Sequence, residues 1–192
     1  TSEMPNLDFK FTVLDTPDVN AFALPGGYVY VTRGLVALAE NEAELAGVIA
    51  HEIGHVTARH SAERYSRAVA TNIGATLLGI LADSRAVADI AGQGAALYLQ
   101  SYSRDQEFQA DTLGVRYLNR AGYDTAAMAS FLSKMGEASR LQAEMSGSDK
   151  NPDAVDLLAT HPRTVDRVEQ ARAAAAVQQV ANPVTNKGLF LD

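Results

Sequence analysis

Residues 51–55 read His-Glu-Ile-Gly-His. Two histidines at i and i+4 stand one above the other on a helix face, so both imidazoles can reach one metal ion. Glu52 lies about 100° around the helix from His51, beside such an ion rather than on it, where a carboxylate can move protons for an attacking water. The neighbours Leu45, Val48, Ile49, Ile53 and Val56 are apolar on several sides, so this helix should be buried. Two rings and a carboxylate are costly to desolvate without partners. A zinc ion would supply one; the plainer alternative is a pair of hydrogen-bonded core histidines with a salt-bridged glutamate.

A catalytic zinc usually takes three protein ligands and a water. His60 is the nearest further histidine, but on a continuous helix it lies about 140° off the ligand face, and it reads as structural. The metzincin extension is absent, because Ala58 and Ser61 stand where its Gly and His would be. A better third ligand lies in Ser103-Arg104-Asp105-Gln106-Glu107-Phe108-Gln109-Ala110-Asp111. There Glu107 and Asp111 repeat the i, i+4 spacing. Glu107 can ligate the metal while Asp111 accepts the distal ring N–H of a ligand histidine, fixing its tautomer. Standing alone, the segment would read equally as a solvated, charged helix face.

The elements that must position these groups follow from patterning. Phe9, Phe11 and Val13 alternate with Lys10, Thr12 and Leu14, the period of a half-buried strand. Asn20 to Leu24 and Tyr28 to Thr32 flank Pro25-Gly26-Gly27 and read as a hairpin. From Gly34 onward the pattern is helical: a short helix over 34–39, then one opened by Asn41 with Glu44 three residues on, a capping-box-like start, running to about Arg67. Further helices are expected over 69–82, 86–118 with a stop at Gly122, from Asp124 or Thr125 to about Met145, and from Thr164 to about Val180. Residues 146–153 read as a loop, and 182–192 as a polar, poorly ordered tail. The expected fold class is α+β, mostly α-helical, in one domain covering residues 1–192.

Composition narrows the functional classes. The 192 residues include four His and no Cys, and carry a net charge of −7. No disulfide framework, thiolate metal site or cysteine nucleophile is possible, and a phosphate-binding nucleic-acid module is disfavoured. The apolar stretch 68–82 falls short of the roughly 20 residues that a membrane-spanning helix needs. The wider 69–99 region suits core packing or a subunit contact, with peripheral membrane contact as the alternative. No Walker loop or serine-nucleophile elbow occurs.

Taken together, Asn20 to Leu35, Glu44-Leu45-Ala46, His51 to His60, Ser103-Arg104-x-x-Glu107-x-x-Ala110-Asp111 and Thr160-His161-Pro162 resemble metallopeptidase family 48, the family of HtpX-like proteases and CAAX prenyl endopeptidases. The resemblance runs from about residue 8 to 172. It implies a gluzincin, a zinc endopeptidase with a glutamate as third ligand, on a zincin-like domain with a small N-terminal sheet and a central H-E-x-x-H helix. Without the spans of the membrane-embedded members, prenyl-protein processing is not expected. The chain is more similar to soluble, single-domain bacterial members associated with cell-envelope quality control, periplasmic or membrane-associated, and the companion repeat domain of some relatives is not expected.

The expected chemistry is then one zinc ion held by His51, His55 and Glu107, with Glu52 as the base that deprotonates a water and protonates the leaving amine. His161 and Arg167 are the candidate oxyanion donors. His161 could also occupy the fourth ligand position and hold the enzyme latent. Arg167 could instead be an interior arginine paired with Asp111 or Glu63. Polypeptide substrates would add as a strand at Asn20–Leu24 or Tyr28–Thr32, with little sequence selectivity. A chaperone-like holdase or assembly factor with a structural zinc is the alternative function; it would have no need of Glu52. Oligomeric state is not encoded in any of these features.

Overall fold

A computed structural model describes residues 2–67, 69–70, 102–146, 161 and 165–191. Three strands form the N-terminal sheet: β1 (Lys10–Leu14), β2 (Ala21–Leu24) and β3 (Tyr28–Thr32). The order is β1-β3-β2, with β1 parallel to β3 and β2 antiparallel to it. The expected hairpin is therefore β2–β3, and its turn places Gly26 and Gly27 at φ 96° and 88°, a left-handed conformation that glycine adopts without steric cost. The expectation for β1 is corrected. The strand exists but is not half-buried: Phe11 and Val13 are 55% and 68% exposed, because the long helix that follows packs over β2 and β3.

Helix α1 (Arg33–Leu38) is capped by Thr32, whose Oγ1 accepts from Leu35 N. Helix α2 (Glu42–Thr57) starts at Asn41, whose side chain accepts from Glu44 N. The reciprocal half of the expected capping box is displaced by one residue, since Glu44 accepts from Glu40 N at 2.9 Å. Glu44 is buried and also meets Ser130 Oγ at 2.7 Å and Lys134 Nζ at 2.5 Å, pinning the start of α2 to a later helix. The expected continuous run to Arg67 is corrected too. The chain leaves the helix at Ala58 and Arg59, with Arg59 at φ 60°, and becomes helical again over residues 60–67.

Helix α3 (Arg104–Ala121) opens on a full capping box between Ser103 and Gln106 and stops at Gly122, φ 81°. Its start corrects the expected helix over 86–118: residues 102 and 103 are not helical, and 86–101 lie outside the described residues. So do the expected helix over 71–82, the loop over 147–153, and residues 160 and 162–164. Helix α4 (Ala127–Ser146) follows a turn in which Asp124 accepts from Ala126 N at 3.0 Å. Helix α5 (Val165–Val177) ends three residues before the expected limit. The tail carries α6 (Lys187–Leu191) and a parallel bridge between Val184 and Tyr123, and Phe190 packs against the core.

The core lies where α2, α3, α4 and α5 meet, around Val48, Val115, Leu118, Phe131, Leu132 and Val168. Helices α2 and α3 approach closely because small residues face each other. A Cβ on Gly54 would stand 2.9 Å from Ala110 O, and one on Gly114 would stand 3.2 Å from His51 N. The first contact is shorter than a packed interior tolerates, and the second is tight enough that its neighbour would have to give way. This close crossing is what brings the two i, i+4 pairs face to face. The observed fold is mostly helical with a small three-stranded sheet, as the patterning implies. Among the described residues, no helix is long and apolar enough to cross a membrane.

Candidate metal centre

His51 and His55 project from one face of α2, and their Nε2 atoms stand 3.0 Å apart. Across the crossing, Glu107 of α3 brings Oε2 to 3.6 Å from His51 Nε2 and Oε1 to 3.3 Å from His55 Nε2. His161 completes the group, with Nδ1 at 3.2 Å from His51 Nε2 and 3.0 Å from Glu107 Oε1. All four side chains are buried, and their donor atoms lie within 4.8 Å of one another. Four donors set tetrahedrally at about 2.0–2.1 Å from a zinc ion are separated by roughly 3.3 Å. The observed spacings scatter around that value, so the donor set fits a divalent cation.

The proton positions support the same fit. His51 Nδ1 meets Asp111 Oδ1 at 2.8 Å. A carboxylate can only accept, so its proximity favours the tautomer with the hydrogen on Nδ1, which leaves the Nε2 lone pair facing the group. Asp111 is in turn gripped by Arg167, whose Nε and Nη2 each stand 2.7 Å from its oxygens. Arg167 Nη1 also reaches Glu107 Oε2 at 2.5 Å. The guanidinium thus pairs with Asp111, one of the two carboxylates the sequence offered it; Glu63 instead pairs with Arg67 on the exposed helix after the break.

Burial and neighbouring charges act in opposite directions here. Burial works against the Glu107 carboxylate, but the His161, His55 and His51 rings outweigh it and hold its pKa below the ordinary value. Asp111 follows the same pattern, with Arg167 and His51 overcoming the cost of burial. For His51, burial pushes the pKa down, and the bond to Asp111 more than reverses it. For His55, burial drives the pKa well below normal and outweighs the opposing pull of the Glu107 carboxylate. Glu52 has its pKa raised by burial, against the pull of His161 and His51. Neither Glu52 oxygen has a hydrogen-bond partner of good geometry, and the nearest imidazole nitrogen, His161 Nε2, is 3.4 Å away.

Three residues at the centre carry no motif signal. Tyr102 stacks on His55, with ring centroids 3.8 Å apart, and its buried hydroxyl is pushed up to about 12 by desolvation. Ser61 Oγ meets that hydroxyl at 2.8 Å. Gln109 bonds His60, which bonds His55. Their only sequence signal is proximity to motif residues. Beside the centre, Val48, Met128, Phe131, Leu132 and Met135 line an apolar pocket whose rim includes Glu52 and His161.

A sequence profile of peptidase family M48 matches residues 1–175. The chain belongs to peptidase family M48. It is 34% identical over 173 residues to the beta-barrel assembly-enhancing protease of Escherichia coli strain K12, a match covering 85% of this chain and 34% of that protein. The protein of the same name from Yersinia pestis is 35% identical over 173 residues, with 85% and 34% covered. The mitochondrial metalloendopeptidase OMA1 of Arabidopsis thaliana is 33% identical over 163 residues, covering 84% of this chain and 30% of that protein. The chain thus spans about a third of the length of these relatives. Membership of M48 agrees with the resemblance drawn from the motifs and with a metalloendopeptidase class.

Proposed function

We propose that this M48 chain is a zinc endopeptidase of the bacterial cell envelope that cleaves unfolded or misfolded polypeptides. The observation that carries the reading is the convergence of His51 Nε2, His55 Nε2 and a Glu107 oxygen on one point, with the Glu52 carboxylate beside it. His51, His55 and Glu107 would hold the ion. Zinc bound there supplies a Lewis acid that acidifies a water and polarises the scissile carbonyl. Glu52 accepts a proton from the attacking water and delivers it to the departing amine nitrogen. Burial raises its pKa and so makes it a stronger proton acceptor than an exposed carboxylate. Asp111 fixes the His51 tautomer, and Arg167 balances the two buried carboxylates.

Substrate would lie along β2. Among the described residues this strand is at the sheet edge, whereas β3 is paired on both sides, so of the two candidates β2 is the one with an edge that no described strand covers. The main chain of Ala23 on β2 faces Glu52, so a peptide paired there would run past the base. Main-chain pairing gives affinity with little side-chain selectivity, which suits unfolded chains. The pocket of Val48, Met128, Phe131, Leu132 and Met135 favours an apolar substrate side chain next to the scissile bond. The names of the Escherichia and Yersinia relatives are in keeping with a role in envelope protein quality control.

His161 carries a second, compatible reading. Its Nδ1 sits within the spacing of the other donors, and a site with four protein ligands is closed to water. The chain would then be latent until His161 withdraws. Metal analysis with casein cleavage, with and without chelator, tests the whole reading. Glu52→Gln should keep one zinc per chain and lose about 10²–10⁴ in rate, and His161→Ala should cleave faster than wild type. Cleavage surviving in Glu52→Gln would remove the glutamate from the mechanism, and unchanged cleavage in His161→Ala would remove the latch.

A further inference from the structure

His60 is buried, 2% exposed, although a continuous helix would turn it away from the ligand face. It reaches the centre because the backbone folds back at Arg59, φ 60°, a conformation uncommon for any residue but glycine. Strain of this kind persists only where the surroundings hold it. Here it delivers His60 Nδ1 to 2.9 Å from His55 Nδ1, the ring nitrogen pointing away from the convergence point, while His60 Nε2 stands 3.0 Å from Gln109 Oε1.

With the Gln109 amide oxygen facing His60, the hydrogen bonds along this chain run in one direction. The Gln109 carbonyl oxygen only accepts, so His60 Nε2 carries the hydrogen and, in a neutral ring, Nδ1 presents a lone pair. His55 Nδ1 must then donate, which leaves the His55 Nε2 lone pair aimed at the centre. We propose that His60, oriented by Gln109, is a positioning residue that sets the tautomer and ring orientation of His55 for metal binding. This role rests on the reading of His55 as a ligand. The two histidines of α2 are thereby supported differently, His51 by a carboxylate and His55 by a neutral imidazole. Tyr102 fixes the plane of the His55 ring by stacking, and His60 fixes its rotation and proton.

The test is zinc affinity of the full chain, measured by competition with a chromophoric chelator, alongside thermal melts of the metal-free forms. His60→Leu removes the acceptor and should weaken zinc binding about 10–100-fold, the usual effect of losing an outer hydrogen bond to a ligand. His60→Asn places Oδ1 where Nδ1 stood and should remain within about threefold of wild type. A role in packing alone would weaken both variants alike, or lower both melts without separating their affinities, and either result overturns the proposal. So does a His60→Leu affinity within threefold of wild type. Should His60→Leu fail to fold, Gln109→Leu on the exposed face of α3 takes its place, with an expected loss of about threefold or more; an unchanged affinity overturns the relay. A wild-type chain that binds no zinc would instead break the metal-centre reading itself.

Discussion

Glu52 is a carboxylate enclosed almost completely by protein, and its chemistry and its cost have the same origin. A carboxyl whose folded pKa is raised binds its proton more tightly in the folded state, so ionising it subtracts stability. The subtraction begins as pH rises past the unfolded value of about 4.3 and is complete above the folded pKa. Metal-stripped Glu52→Gln should therefore melt at a higher temperature than metal-stripped wild type at pH 7, with the gap closing as pH falls to about 4. Melts at a series of pH values measure it, and a gap independent of pH would show that Glu52 is not burdened by its burial. The residues whose spacing follows helix geometry are legible in the sequence: His51 with His55, and Glu107 with Asp111. His60 is not, since its approach depends on a left-handed turn at Arg59 that no propensity announces. Nor is Tyr102, because a lone aromatic before a helix start carries no periodicity.

The two helices that carry the i, i+4 pairs must cross at short range, and Gly54 and Gly114 permit it. Gly54→Val should force α2 away from Ala110, cost about 1–3 kcal/mol in urea denaturation, and weaken metal binding more than a substitution of equal cost placed far from the crossing. An equal effect on metal binding would mean that the donor geometry does not depend on this contact. The helix start at Asn41 is readable from its capping chemistry, and the stop at Gly122 likewise, whereas the start at Ser103 is hidden within the longer helical pattern expected over 86–118. The burial of β1 is not readable. Alternation identifies a strand but not how many strands a helix covers, and α2 packs mainly on β2 and β3. The end of α2 is hidden for a related reason: Ala58 and Arg59 are ordinary helix formers, so no local propensity marks the turn after which His60 meets the centre.

The donors come from three places far apart in the chain: α2, α3 and residue 161. An ion held by them closes two loops of about fifty residues each, so it acts on stability as well as on reactivity. Free zinc at about a hundred times its dissociation constant should add roughly 2.7 kcal/mol, a shift of about 5–10 °C in Tm for a chain of this length. Calorimetry with and without chelator reads it, and coincident transitions would mean that the folded chain does not bind zinc. With the shift, zinc becomes a staple for the fold and not merely a reagent. In zinc-starved surroundings the enzyme would lose that increment and so become easier prey for other proteases.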